Sequence, residues 1–410
     1  MPFKIRRLKN RGSGEWDRVI GIDIENILRL APSPAYVVDL GRLRRNLAIL
    51  SDVQERSGGR ILMALKAFSM WSVFPLIRET LCGVCASSPW EARLGREEFG
   101  GEVHSCAAAF KESDVAELLK TSNHLVFNSF NQLERFRPQW ERKQNHVSVG
   151  LRINPEHAEG QTAAYDPCAS FSRLGITLAE FERRIADVGE KRALDGVDGL
   201  HFHTLCEQLF EPLQRTTAVF EEKFGRFLPD MKWLNLGGGH HITREGYNIQ
   251  GLVNLIKYFT EKYGLQVYLE PGEAIVIGSG VLVSEVLDVV KNDMNIAVLD
   301  ASATCHMPDI LEMPYRPEVV DGFDPGAKPY TYRLAGPSCL AGDIIGDWSF
   351  EKPLLPGDRL AFLDMSHYTM VKTTMFNGIR HPDICIYEPG TGQLKVQRSF
   401  DYPDFKARLS

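Results

Sequence analysis

With 410 residues the chain is long enough for two domains, because a single core stops growing at about 250–300 residues. Its 44% apolar and 24% charged residues are those of an ordinary globular protein, and a net charge of −6 argues against a nucleic-acid partner. No apolar stretch approaches the roughly 20 residues of a membrane helix, so no membrane is expected, and the cysteines, without an export signal, read as thiols in a reducing cytoplasm.

Residues 1–33 begin with the basic MPFKIRRLKNRGSGEW and read as a solvated tail and lead-in to the β domain. AYVVD then reads as a strand, followed by a helix whose Leu40, Leu43, Leu47 and Leu50 fall on one face. From Arg60 a rhythm begins of short apolar runs, each followed by a polar, helix-patterned segment. The runs are RILMALK at 60–66, GVCAS at 83–87, EVHSC at 102–106 and HLVFN at 124–128. They continue as VSVGLRIN at 147–154, GLHFHT at 199–204, WLNLGGG at 233–239 and VYLEPGE at 267–273. Runs without alternation suit strands covered on both faces. The segments between them, such as SPWEARLGREEFG and SDVAELLKTSN, offer Ser or Asp caps for helices. Eight such units imply right-handed parallel crossovers closing into a (β/α)8 TIM-like barrel over residues 34–277. Beyond it, VLVSEVLDVVK, IAVLDAS, YTYRLAG, DRLAFLD and DICIYE predict an all-β domain over 278–410.

In such a barrel the chemistry collects at the C-terminal ends of the strands. Lys66 ends the first run, His203 the sixth, Gly237, Gly238 and Gly239 the seventh, and Glu270-Pro-Gly272-Glu273 the eighth. A lysine amine can condense with an aldehyde. Successive glycines let backbone N–H groups close on a phosphate. A carboxylate can hold a pyridine nitrogen protonated, which makes the ring an electron sink. Together these are the parts of a pyridoxal 5′-phosphate site. Each has a plainer explanation by itself, as a lysine reaching solvent or a tight turn; their order on successive strand ends is what is specific.

On these residues, and on GPSCLAGD at 336–343, HYT at 367–369 and FNG at 376–378, the chain resembles the alanine-racemase-like, group IV decarboxylases, which include ornithine and diaminopimelate decarboxylases. The likeness runs from about Ser33 to the C-terminus. It implies that Lys66 carries the cofactor, His203 stacks on its ring, and Glu270 pairs with the ring nitrogen, while Gly237–Gly239, Gly272 and Tyr368 hold the phosphate. It also implies a homodimer with shared active sites, in which Cys339 enters from the partner subunit and returns a proton to the substrate.

Departures from that pattern bear on the substrate. Glu273 stands where ornithine and diaminopimelate decarboxylases commonly have arginine after EPG, and DASATCHMPDILEMPYRPEV at 300–319 replaces the usual substrate loop. The pattern is most similar to the branch of carboxynorspermidine (carboxyspermidine) decarboxylases, whose substrates are amino acids with a polyamine tail. Ammonium groups leaving water need carboxylates, and Glu273, Asp309, Glu312 and Asp343 are the candidates. The alternatives are a diaminopimelate or other basic amino-acid decarboxylase and a non-enzymatic pyridoxal-binding barrel. A zinc hydrolase built from His201, His203, His240, His241, Cys305 and His306 lacks any metal-motif spacing, so no metal is expected. Cys82-Gly-Val-Cys85 has redox spacing but falls beside a buried strand, where packing explains it.

Overall fold

The computed structural model describes residues 21–142, 146–157, 159–160 and 166–410; the basic segment at the N-terminus lies outside the described residues. A helix at Ile24–Leu30 leads to strand β1 (Ala35–Asp39) and the helix Leu40–Ser57. The eight apolar runs then form β2 (Arg60–Ala64), β3 (Gly83–Ala86), β4 (Glu102–Cys106) and β5 (His124–Phe127), followed by β6 (Ser148–Arg152), β7 (Gly199–His201), β8 (Trp233–Asn235) and β9 (Gln266–Leu269). All pair in parallel, and β9 returns to β2 to close the barrel.

Space inside a small barrel is filled by side chains from alternate strands. Here Trp233 fills much of it, packed with Leu62, Val126 and Tyr268. Gly150 and Gly199, on β6 and β7, make room for its indole: a Cβ at either would lie about 2.2 Å or less from the ring. Helix starts follow local chemistry, with Ser88 and Ser129 accepting from the backbone N–H three residues on. In the SDVAELLK segment the helix starts earlier than the expected cap, at Glu112, and Asp114 reaches back to the Lys111 N–H at 2.9 Å.

The second unit joins the residues up to Arg45 with Val276–Ser410, while the barrel unit is Asn46–Ile275. Its strands are β1, β10 (Gly280–Asn292), β11 (Met294–Leu299), β12 (Tyr330–Ala335), β13 (Ile344–Phe350), β14 (Arg359–Leu363), β15 (Asp383–Glu388) and β16 (Gln393–Arg398). The sheet runs β13-β12-β11-β10-β1-β15-β16, with β14 on β10. The boundary expected at residue 34 therefore shifts, because AYVVD pairs with β10 and β15 rather than leading the barrel. Tyr36 joins the apolar cluster around Trp348 and Phe362, whereas Ala35 and Val37 join the one around Val281 and Tyr387. Buried on both faces, a central sheet strand has the same unbroken apolar pattern as a barrel strand. Two strands were not expected: β13 carries Gly346 and Asp347, and β16 is largely exposed, so neither shows an apolar run. Short helices at Ala303–His306, Asp309–Glu312 and Tyr402–Ala407 interrupt what was expected as all-β. No helix among the described residues is long and apolar enough to cross a membrane.

Candidate active site

Four barrel strands, β2, β7, β8 and β9, end shortly before a chemically distinctive residue. Lys66 lies in the turn after β2, His203 just past β7, the three glycines just past β8 and Glu270 directly after β9. The period of two along HFHT sends His201 and His203 to the same side, while Phe202 points away and packs on Phe220 with ring centroids 5.0 Å apart.

Lys66 Nζ is 3.4 Å from His203 Nε2. On the other side of that ring, the Gly238 N–H donates to Nδ1 at 3.0 Å, which leaves Nε2 as the nitrogen bearing hydrogen in a neutral ring. Burial, then the charges of Lys66 and Arg152, push His203 well below the usual histidine range. A neutral imidazole suits stacking on a cationic ring.

The glycine loop has no room for side chains. Gly237 and Gly239 have φ of +68° and +82°, and a Cβ on Gly238 would lie 2.0 Å from the Glu270 carbonyl oxygen. Asn235 Oδ1 accepts from the Gly237 N–H at 2.8 Å. Among the described residues, the N–H groups of Gly239 and His240 have no acceptor in the chain. A bare backbone turn with open amide donors fits a phosphate, so this rim fits pyridoxal 5′-phosphate. Gly272 is equally constrained, since a Cβ there would meet that of Ala67 at 2.5 Å.

Glu270 is held at both oxygens: Asn235 Nδ2 donates to Oε1 at 2.7 Å, and His201 Nε2 lies 3.2 Å from Oε2. Burial alone would raise its pKa, but His201, with His104 and Asn235 adding, brings the carboxyl well below the usual range. Asn235 and Arg152 were not singled out from the sequence, and His201 was weighed there only as a zinc ligand. Arg152, buried at the end of β6, donates to the His203 carbonyl at 3.3 Å. The alternation in HFHT and the Asn of LNLGGG were the signals available. Glu273 opens a short helix, and His241 Nε2 lies 2.8 Å from its Oε2, which fixes the carboxylate's orientation.

In the sheet unit, the Cys339 thiol is exposed, and its N–H donates to Asn377 Oδ1 at 2.8 Å. Asp343 anchors the same turn. Only 3% exposed, it accepts from Ser302 Oγ at 2.9 Å, the Thr304 N–H at 3.2 Å and the Ser338 N–H at 3.1 Å. Chain donors from both sides of the GPSC turn thus already surround the carboxylate expected to face a polyamine tail. Asp309 and Glu312 both pair with Lys372, the first at 2.5 Å. Tyr368 has φ +50°, a backbone state that costs energy for a side chain of its size.

The histidines weighed as zinc ligands are otherwise engaged. His240 Nδ1 meets Tyr247 Oη at 2.6 Å, and His306 uses both ring nitrogens, on the Ser302 N–H and the Arg380 carbonyl. Glu102, His104 and His124, near the strands' N-terminal ends, bring ligand atoms within 4.8 Å of one another. Arg60 pairs with that Glu102, and the two rings stack at 3.8 Å and 15°, so their in-plane lone pairs run parallel and do not converge on one ion. Cys85 lies within β3 and Cys82 directly before it, where burial raises both thiols.

Residues 35–366 match the family described as pyridoxal-dependent decarboxylase, C-terminal sheet domain. The chain is 41% identical over 387 residues to the carboxynorspermidine/carboxyspermidine decarboxylase of Campylobacter jejuni, covering 92% of this chain and 98% of that protein. It is 43% identical over 381 residues to the carboxyaminopropylagmatine decarboxylase of Synechocystis, covering 92% and 95%. The crystal structure of the Campylobacter jejuni carboxynorspermidine decarboxylase complexed with norspermidine superposes with a TM-score of 0.84 at 40% identity, over 92% of this chain and 99% of that one. Diaminopimelate decarboxylase from Helicobacter pylori, complexed with L-lysine, superposes at 0.80 with 19% identity over 94% and 99%, a likeness of fold alone.

Proposed function

Because the chain belongs to the pyridoxal-dependent decarboxylases, we propose that it removes the α-carboxylate of carboxynorspermidine or carboxyspermidine, giving norspermidine or spermidine in polyamine biosynthesis. The observation that carries this reading is the 41% identity to the Campylobacter jejuni enzyme over 98% of that protein's length. A specific observation also favours carboxyaminopropylagmatine: the 43% identity to the Synechocystis enzyme. These substrates share an amino-acid head and a long cationic tail. The family match over 35–366 spans both barrel and sheet strands, which favours a decarboxylase over a single-barrel binding protein. Free cysteines fit a cytoplasmic enzyme.

Bound at the barrel rim, pyridoxal 5′-phosphate supplies a ring that takes up the electron pair left when CO2 departs. In this reading Lys66 holds the aldehyde carbon and Glu270 the ring nitrogen. The glycines 237–239 and 272, with Tyr368, hold the phosphate, and the neutral His203 ring lies against the cofactor. Release of CO2 from carboxynorspermidine, carboxyspermidine, carboxyaminopropylagmatine, diaminopimelate, ornithine and arginine tests the substrate directly. Turnover confined to the polyamine acids is expected; preference for diaminopimelate or ornithine would sink the proposal.

Glu273 is our first choice for the tail ammonium groups, with Asp309 and Glu312 in support. Losing one partner of a desolvated charge pair costs about 2–5 kcal/mol. Glu273→Gln is therefore expected to raise KM for the polyamine acid roughly 30-fold or more, with little change in cofactor affinity. Equal weakening of both would move Glu273 to the phosphate side.

We further propose a homodimer in which Cys339 of one copy donates the proton that replaces the carboxylate in the other. Cys339→Ala should slow turnover while sparing cofactor binding. Mixing Lys66→Ala with Cys339→Ala chains should then restore about a quarter of wild-type activity, because half of randomly paired dimers keep one intact site. A mixture no more active than the two variants assayed apart would refute shared sites.

A further inference from the structure

We propose that His201 is a positioning residue: its imidazolium, buried on the inner face of β7, holds the Glu270 carboxylate ionised and in one orientation. The inference rests on the assignment of Glu270 to the cofactor's ring nitrogen. Glu270 has two different anchors. Asn235 is neutral, and its own orientation is set because Oδ1 accepts from the Gly237 N–H. His201 is the titratable one, 2% exposed and 3.2 Å from Oε2.

A buried carboxylate needs a counter-charge to remain ionised. The titratable groups around the pair are Lys66 after β2, Cys85 on β3, His104 and Cys106 on β4, His124 on β5, which burial and His104 hold down to about 3, Arg152 on β6 and His203 after β7. Arg152 donates to the His203 carbonyl. His203 takes the Gly238 N–H and lies beside Lys66. His104 is bonded to Glu102, and burial pushes its pKa down. That leaves His201 as the imidazole in contact with Glu270. Burial opposes its charge, yet Glu270 and then Cys106 outweigh that and raise its pKa. Burial likewise opposes ionisation of Cys106, and the His201 ring more than offsets it. His201, on β7, is thus linked to Cys106 on β4 and to Glu270 directly after β9.

Without that counter-charge the glutamate, although still held by Asn235, is free to take a proton, and the ring loses its own proton. His201 prevents both. The test begins with the full-length wild-type chain selectively labelled with 15N-histidine, with and without cofactor. Near pH 7.5 the His201 ring is expected to carry protons on both nitrogens, and to lose one in Glu270→Gln; a neutral ring in wild type overturns the proposal. His201→Gln keeps a hydrogen-bond donor but no charge. It is expected to lower kcat about 100-fold with KM within about twofold. The visible absorbance of the bound cofactor should also become pH-dependent between about pH 6 and 8.5, where wild type is constant. Unchanged kcat and spectrum in His201→Gln would overturn the role of the charge. Failure of the cofactor assignment itself is distinguishable, since wild type would then bind pyridoxal 5′-phosphate without a visible band.

Discussion

Lys66→Ala is expected to abolish decarboxylation and the visible absorbance of bound cofactor together. The lysine sits in the turn beyond β2, 3.4 Å from a histidine ring that a backbone amide fixes in place. Its amine would hold the cofactor's aldehyde carbon and so fix the cofactor at the rim, two roles that rest on one side chain. Alanine removes both, and loss of such a positioned group reduces turnover by up to about 10⁴-fold. The fold should be spared, because the side chain is exposed and outside the strand. Melting temperature and circular dichroism therefore serve as controls. Retained absorbance near wild-type levels would mean that another amine carries the cofactor.

Glu270→Gln should be nearly as damaging to activity, and it should also change how stability depends on pH. Loss of one preorganised charge at a developing electron sink lowers kcat by about 10²–10³-fold. Glu270 has a pKa depressed in the folded chain: burial opposes ionisation, and the His201 charge more than compensates. Its contribution is present above about pH 4.3 and is lost as pH falls through the depressed value. For His201 the shift is upward, by Glu270 and Cys106 against burial, so its contribution is complete below about pH 6.5 and is lost as pH rises through the raised value. The pair therefore stabilises the barrel most between about pH 4.3 and 6.5. Breaking a buried pair costs about 3–5 kcal/mol, and release of the His201 proton holds the cost near the lower figure. Melting curves across pH should show the largest gap between wild type and Glu270→Gln in that window. A gap independent of pH would mean the two groups are not an ion pair.

The eight barrel strands were legible because strands covered on both faces are written as unbroken apolar runs, and because a charge ending such a run needs an explanation. The same rule misassigned AYVVD, since a central sheet strand is equally apolar. β13 and β16 escaped notice because a strand interrupted by Gly346 and Asp347, or lying at an exposed edge, leaves no such run. Lys66, His203, the glycines and Glu270 stood out by type and order along the chain. Asn235 did not, and His201 did so only as a zinc ligand, because their importance lies in what they touch. Acidic residues were the least legible: Glu273, Asp309, Glu312 and Asp343 look alike in sequence, yet one is fixed by a histidine, two share a lysine and one is enclosed by chain donors.

The sequence by itself determined the two-part architecture, the cofactor and the order of the groups along the rim, since local pattern and strand-end position are written residue by residue. Only the tertiary structure decided which of those groups touch one another and which acids already have partners in the chain. Those properties depend on partners far away in the chain, such as His201 against Glu270 or Ser302 against Asp343. A hydrogen bond or an ion pair across such separations exists only once the strands and turns between have brought the two side chains within about 3 Å.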